Sequence, residues 1–186
     1  MRRILSFAAA LLLMSSLPAA AQKFSISTNI LDYACLGTMN LDASYSLSRR
    51  WSLTAGVKYN PFTYHSGEPE RQFQYRQQSY SVGARLWPWH TLSGWWFASR
   101  LRYQEYNIGG IWSRETEEGD RFGVGLYSGY THMLSKHFNI EFGLGCWTGM
   151  SFYNRYSCPL CGLTVQSGRK YFLLPDELMI SIAYVF

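Results

Sequence analysis

After its first twenty-one residues this 186-residue chain has no segment approaching the ~20 apolar residues of a membrane-spanning helix, so in a bilayer it must cross as strands. It has no low-complexity tract, no linker and no run of like charge, which leaves a single domain as the expectation. Its basic excess is slight, +5 over the whole sequence, too small to argue for a nucleic-acid partner. Cysteine is scarce, four in all. Two of them form Cys158-Pro159-Leu160-Cys161, but the second C-x-x-C or histidine pair that would complete a metal site is missing. Gly123-Val124-Gly125 and Gly143-Leu144-Gly145 lack the third glycine of a dinucleotide loop, since Gly129 and Gly149 each fall one residue late and no helix follows. The four histidines, His65, His90, His132 and His137, are scattered over a loop, two turns and an outward strand position. No cofactor, metal or catalytic residue is therefore expected.

What is present begins with a leader. Arg2 and Arg3 precede an apolar run from Ile4 to Leu17, and Ala19-Ala20-Ala21 offers a cleavage site before Gln22, the pattern of a secretory signal peptide. No cysteine follows that site, so no lipoprotein anchor is expected. The expected layout is a leader over 1–21 and one domain over 22–186, with the charge falling to +3 once Arg2 and Arg3 are removed.

Aromatic residues make up 17% of the chain while the mean hydropathy stays slightly negative, a combination that suits a barrel with lipid outside and polar groups within. The C-terminal stretch is the clearest strand. Leu178, Ile180, Ile182, Tyr184 and Phe186 are apolar and two apart, with Met179, Ser181, Ala183 and Val185 on the other face. Tyr184 and the final Phe186 resemble the C-terminal assembly signal of bacterial outer-membrane barrels. Such a strand leaves a sticky edge unless it pairs with the first one. Seven further segments alternate in the same way, from Phe24-Ser25-Ile26 through Trp51 to Tyr59 and on to Phe138 to Cys146.

Short turns at 48–50, 87–94 and 135–137 alternate with longer loops expected at 61–74, 107–120 and 150–170. An all-β, eight-stranded antiparallel up-and-down transmembrane β-barrel follows, with both termini on the periplasmic side. Trp51, Trp87, Trp89 and Phe138 would ring its turn end; Tyr59, Tyr75, Tyr103, Tyr106 and Phe122 would ring its loop end.

The segments GVGLYSGYTHMLSKHFNIEFGLG, YNRYSCPLCG and PDELMISIAYVF, together with the earlier NILDYACLGTMNLDASYSLSRRWSLTAGVKYNPF, resemble a family of small Gram-negative outer-membrane barrels, domain of unknown function 3575. The resemblance covers most of the chain after the leader. It implies a fold and a location, and it carries no activity and no functional residues.

Two constellations remain. Exported cysteines usually oxidise, so Cys158 and Cys161 are expected to bridge and pin their loop, with pairings to Cys35 or Cys146 as the alternatives. By the alternation Asp42, Lys58, Arg85, Arg100, Arg102 and Glu141 point into the barrel, where eight strands leave a side-chain-filled lumen and the charges must pair. The expected function is a non-enzymatic structural or surface-interaction role in the outer membrane. Its expected partners are outer-membrane lipid, the barrel-assembly machinery during biogenesis, and a surface partner met through the outer loops. A lipid-modifying enzyme using His132 and Ser135 (or His65), and transport of a small solute, are the alternatives.

Overall fold

A strand that alternates apolar and polar residues has two faces with opposite needs, and a sheet of such strands can separate them by curling until its edges meet. The computed structural model describes residues 23–65, 72–111, 115–157 and 163–186 and forms such a sheet. The leader expected over 1–21 lies outside the described residues. Strand β1 (Phe24–Asn29) runs into a five-residue helix, α1 (Ile30–Ala34). Then follow β2 (Met39–Ser46), β3 (Trp51–Asn60), the two-residue β4 (Thr63–Tyr64), β5 (Phe73–Leu86), β6 (Gly94–Gly109), β7 (Thr116–Met133), β8 (Phe138–Tyr156) and β9 (Thr164–Val185). All pairings are antiparallel and follow chain order; β3 pairs with β5, and β1 pairs with β9. The result is a closed eight-stranded antiparallel barrel, with β4 a small flap on β5.

The distribution of side chains is inverted relative to a water-soluble core. Leu53, Val82, Leu101, Leu126, Leu144 and Ile182 lie on the outer wall, while Ser52, Thr54, Asn40, Gln104, Arg100 and Glu141 are buried within it. The start of β1 and the C-terminal Phe186 lie beside the short turns: Phe186 N donates to Phe24 O, and Val185 N donates to His137 O in the β7–β8 turn. Outside at this end the Tyr184 ring meets Phe138 at 5.2 Å and Phe186 at 4.9 Å.

Several expectations need correction. The loops expected at 107–120 and 150–170 are largely strand: β6 and β7 stay paired to Gly109 and Thr116, and β8 and β9 to Tyr156 and Thr164. Likewise β5 begins at Phe73, inside the third expected loop, and β9 is 22 residues long. These outer extensions carry polar or aromatic residues on both faces, so period-two contrast vanishes while backbone pairing continues. The expected interface rings also lose members. Trp51, Trp89 and Phe138 are exposed at the turn end, but Trp87 is fully buried and donates its indole N–H to Ser52 Oγ at 2.9 Å. At the other end Tyr59, Tyr103 and Phe122 face outward, whereas Tyr106 is buried in the lumen and Tyr75 lines it.

Candidate binding site at the open end of the barrel

The lumen fills from the turn end upward. There the β5–β6 turn folds under the barrel and buries Trp87 and Leu92, which pack with Trp96, Ala98, Tyr127, Met179 and Val185. Bulky aromatic rings fit because the facing positions are glycine. A Cβ on Gly145 would lie 2.1 Å from the Tyr127 ring, and one on Gly129 would lie 2.4 Å from Trp96. Above Trp96 sits Arg85, its guanidinium 4.3 Å from the indole. Arg85 Nη1 donates to both carboxylate oxygens of Glu141, at 2.9 and 3.1 Å, and Thr131 Oγ1 donates to the same carboxylate. One level higher Arg100 Nη1 donates to Asp42 Oδ1 at 2.8 Å. These rungs of ion pair and aromatic ring close the lower half of the lumen.

Above them the lumen opens into a chamber of about 290 Å³. Its cations are Lys58, Arg102 and Arg121. Lys58 Nζ lies 2.9 Å from Asp32 Oδ2 of α1. Arg102 donates from Nε to Ser79 Oγ at 2.8 Å and lies over the Trp147 ring at 4.9 Å. Arg121 stacks on Tyr106 at 3.6 Å. Gln77, Gln104 and Tyr75 supply neutral polar groups to the wall.

The rim above is tied by Glu117. Lys170 Nζ donates to it at 2.7 and 2.8 Å, Arg155 Nη2 at 3.1 Å, and the Tyr106 hydroxyl at 2.8 Å. Tyr106 thus gives its one proton to Glu117 and accepts from Ser151, whose Oγ is 2.9 Å away. Burial alone would raise the Glu117 pKa, but these hydrogen bonds outweigh it and hold the carboxyl below its ordinary range.

All six charges read from the alternation thus have a place: Arg85 with Glu141, Arg100 with Asp42, Lys58 and Arg102 on the chamber wall. Cys158 and Cys161 lie outside the described residues, while Cys35 and Cys146 are free and exposed. His132 faces outward opposite Ile140, at the far end of the barrel from the chamber. Among the described residues no cluster of three metal-ligating side chains occurs. Sequence reasoning missed Arg121, Glu117 and Trp147. Carrying the β7 alternation one residue back from Phe122 would have turned Arg121 inward, and carrying β8 one residue past Cys146 would have done the same for Trp147. The chamber can hold a small anionic or hydrogen-bonding group, and the ladder below it leaves no through-passage of comparable width.

No curated protein and no solved structure matches the chain. The family model described as a protein of unknown function, DUF3575, matches residues 7–186, and the chain belongs to that family.

Proposed function

We propose that the chain is an integral outer-membrane barrel with both termini periplasmic, sealed through its lower half, whose outer chamber and rim meet ligands or surface partners without catalysing a reaction. The inverted wall carries this reading: large apolar side chains are exposed on β2, β3 and β5 to β9, while most of the buried side chains are polar or charged. In water such a wall would be one continuous aggregation surface; in lipid it is the favoured arrangement, because all backbone groups of a closed barrel are satisfied within it. The outward band on β3 runs from Trp51 to Tyr59, close to the roughly 9–11 residues that a tilted spanning strand needs. Aromatic residues border it at both ends, Trp51, Trp95 and Phe138 below and Tyr59, Tyr80, Tyr103 and Phe122 above.

The lipid-modifying alternative finds no support in His132 and Ser135. Ser135 Oγ accepts from His137 N and Phe138 N and so serves the turn, not a base. Solute transport is opposed by the aromatic and ionic plug. The test is fractionation of cells expressing the full chain. The protein is expected in the outer membrane, migrating faster on a detergent gel unboiled than boiled; recovery of the folded protein as a soluble periplasmic species would sink the proposal.

A further inference from the structure

The outer side of the barrel wall is not evenly filled. Ala43 pairs with Ala55 across β2 and β3, and Ala84 with Ser99 across β5 and β6, so four small side chains fall together. Larger ones stand to either side of them, Tyr45 and Leu53 towards the turn end, Val82 and Leu101 away from it. The result is an apolar groove of about 630 Å³ on the outer wall, the volume of about twenty waters. Leu53 faces Ala84 while Ala55 faces Val82, so the small pair on β5 and β6 lies one outward position nearer the turn end. The groove therefore descends towards the turns as it crosses the sheet.

The turns beneath these strands, β2–β3 and β5–β6, are braced against each other. Thr91 N donates to Arg49 O at 2.9 Å, and Trp87 N donates to Arg50 O at 2.8 Å. Ser46 N donates to Lys23 O at 2.7 Å, which sets the start of β1 beside the same turn. Lys23, Arg49 and Arg50 are exposed there, interleaved with exposed Leu47, Trp51 and Trp89. Among the described residues no exposed side-chain carboxylate lies at this end. The carboxylates nearest to it, Glu141 and Asp42, are buried and paired with Arg85 and Arg100. The exposed ones, Glu105, Glu115 and Asp120, lie at the opposite end. Even with a terminal carboxylate on Phe186, the turn end is cationic.

We propose that the groove and the two turns form one binding site for an anionic phospholipid, its phosphate on Arg49 and Arg50 and an acyl chain along Ala43, Ala55 and Ala84. The proposal rests on the outer-membrane reading, in which this end faces the periplasmic leaflet. Guanidinium forks match phosphate oxygens in charge and geometry. The groove holds the chain by burial and shape, and indoles such as Trp51 and Trp89 suit the zone between head and chain. The reach is right. Arg50 and Ala55 are five residues apart. That is about 17 Å of strand, less along the membrane normal once the strand tilts, against roughly 15 Å of hydrocarbon in one leaflet.

The test uses the full chain folded in a neutral maltoside micelle and checked by heat-modifiable migration. It is given dioleoyl phosphatidylglycerol and zwitterionic dioleoyl phosphatidylcholine in equal amounts, and native mass spectrometry counts what each barrel retains. Phosphatidylglycerol is expected to be retained, one per barrel, in several-fold preference. Arg49→Gln combined with Arg50→Gln should weaken its retention about tenfold or more. Arg76→Gln, at an exposed arginine of the other end, should leave it unchanged. Ala55→Phe, at an outward position, should fill the groove and weaken retention several-fold. Equal retention of the two lipids, or an equal loss in Arg76→Gln, would overturn the head-group assignment. Retention untouched by Ala55→Phe would overturn the role of the groove. Displacement by glycerophosphoglycerol or hexaglutamate at the concentration of the lipid itself would make the turns a site for free anions or acidic peptide and overturn the proposal. If the arginine variants fail to fold, the lipid comparison on the parent and Ala55→Phe still decide. A protein that fractionates with the outer membrane yet shows no lipid preference refutes this inference alone; one recovered soluble from the periplasm refutes the membrane reading, whatever it retains.

Discussion

At the scale of single residues the costliest group in the molecule is the Arg85–Glu141 pair, each side chain 2% exposed, held by a two-point contact and covered by Trp96. A buried pair of this kind need not stabilise more than apolar residues would, but breaking it leaves an uncompensated charge. Glu141→Ala should therefore destabilise the barrel by about 3–5 kcal/mol, read as a shift of the urea midpoint of heat-modifiable migration. Replacing both partners by leucine should cost markedly less than the single change, because no orphan charge remains. A double variant as unstable as the single one would show that the pair contributes net stability. Its inward placement was legible from Arg85 and Glu141 falling one residue out of phase with their apolar neighbours. The burial of Trp87 was not. It follows a strand and precedes a proline, and only the folding of its turn under the barrel turns the indole inward.

At the scale of elements the three longest strands, β7, β8 and β9, rise beyond the outer aromatic ring, and Glu117 holds their ends together through Lys170 and Arg155. Its pKa is lower in the folded protein than in the unfolded chain. The stability it contributes is thus present above the ordinary carboxylate range and is lost as pH falls through the depressed folded value. Protection of the backbone against hydrogen exchange over 151–156 and 164–170, taken relative to the intrinsic rate at each pH, should fall on acidification through that range, and Glu117→Gln should show the lower protection already at neutral pH with little further change. Protection factors in these segments that are insensitive to both pH and the substitution would contradict the assignment.

These extensions are also where the sequence was least readable. The eight barrel strands announce themselves through residues such as Leu41, Ala43 and Tyr45 alternating with Asp42 and Ser44, because one face is apolar and the other polar. Above the apolar band both faces meet polar surroundings, so Thr116 to Asp120 and Thr164 to Lys170 carry no alternation to detect. Helix α1 is a single turn, shorter than any helical period can reveal. The chamber inherits this difficulty: Lys58 and Arg102 sit on readable strands, whereas Asp32 and Glu117 come from α1 and from a strand end.

At the scale of the whole molecule the barrel is a stoppered cylinder, sealed by Trp87, Trp96, Met179 and Val185 at one end and open at the other. Reconstituted into planar bilayers it should show no discrete conductance steps; regular, voltage-independent openings would mean that the stopper moves aside. The wall also has a kinetic seam. Setting the β4 flap aside, every pairing of barrel strands but one joins neighbours along the chain, hairpin after hairpin, and can form locally. The exception joins Ser25 to Val185, at nearly opposite ends of the sequence. Closing so long a loop carries the largest entropic penalty of any step and raises the contact order of an otherwise local topology. The meander from β2 to β8 can therefore be assembled while the cylinder is still an open, curved sheet with two raw edges, and the short β1 makes the final zip with only five residue pairs. With five pairs on this side and four to β2 on the other, β1 is the most lightly held strand of the wall, so the molecule is expected to breathe where it was last closed.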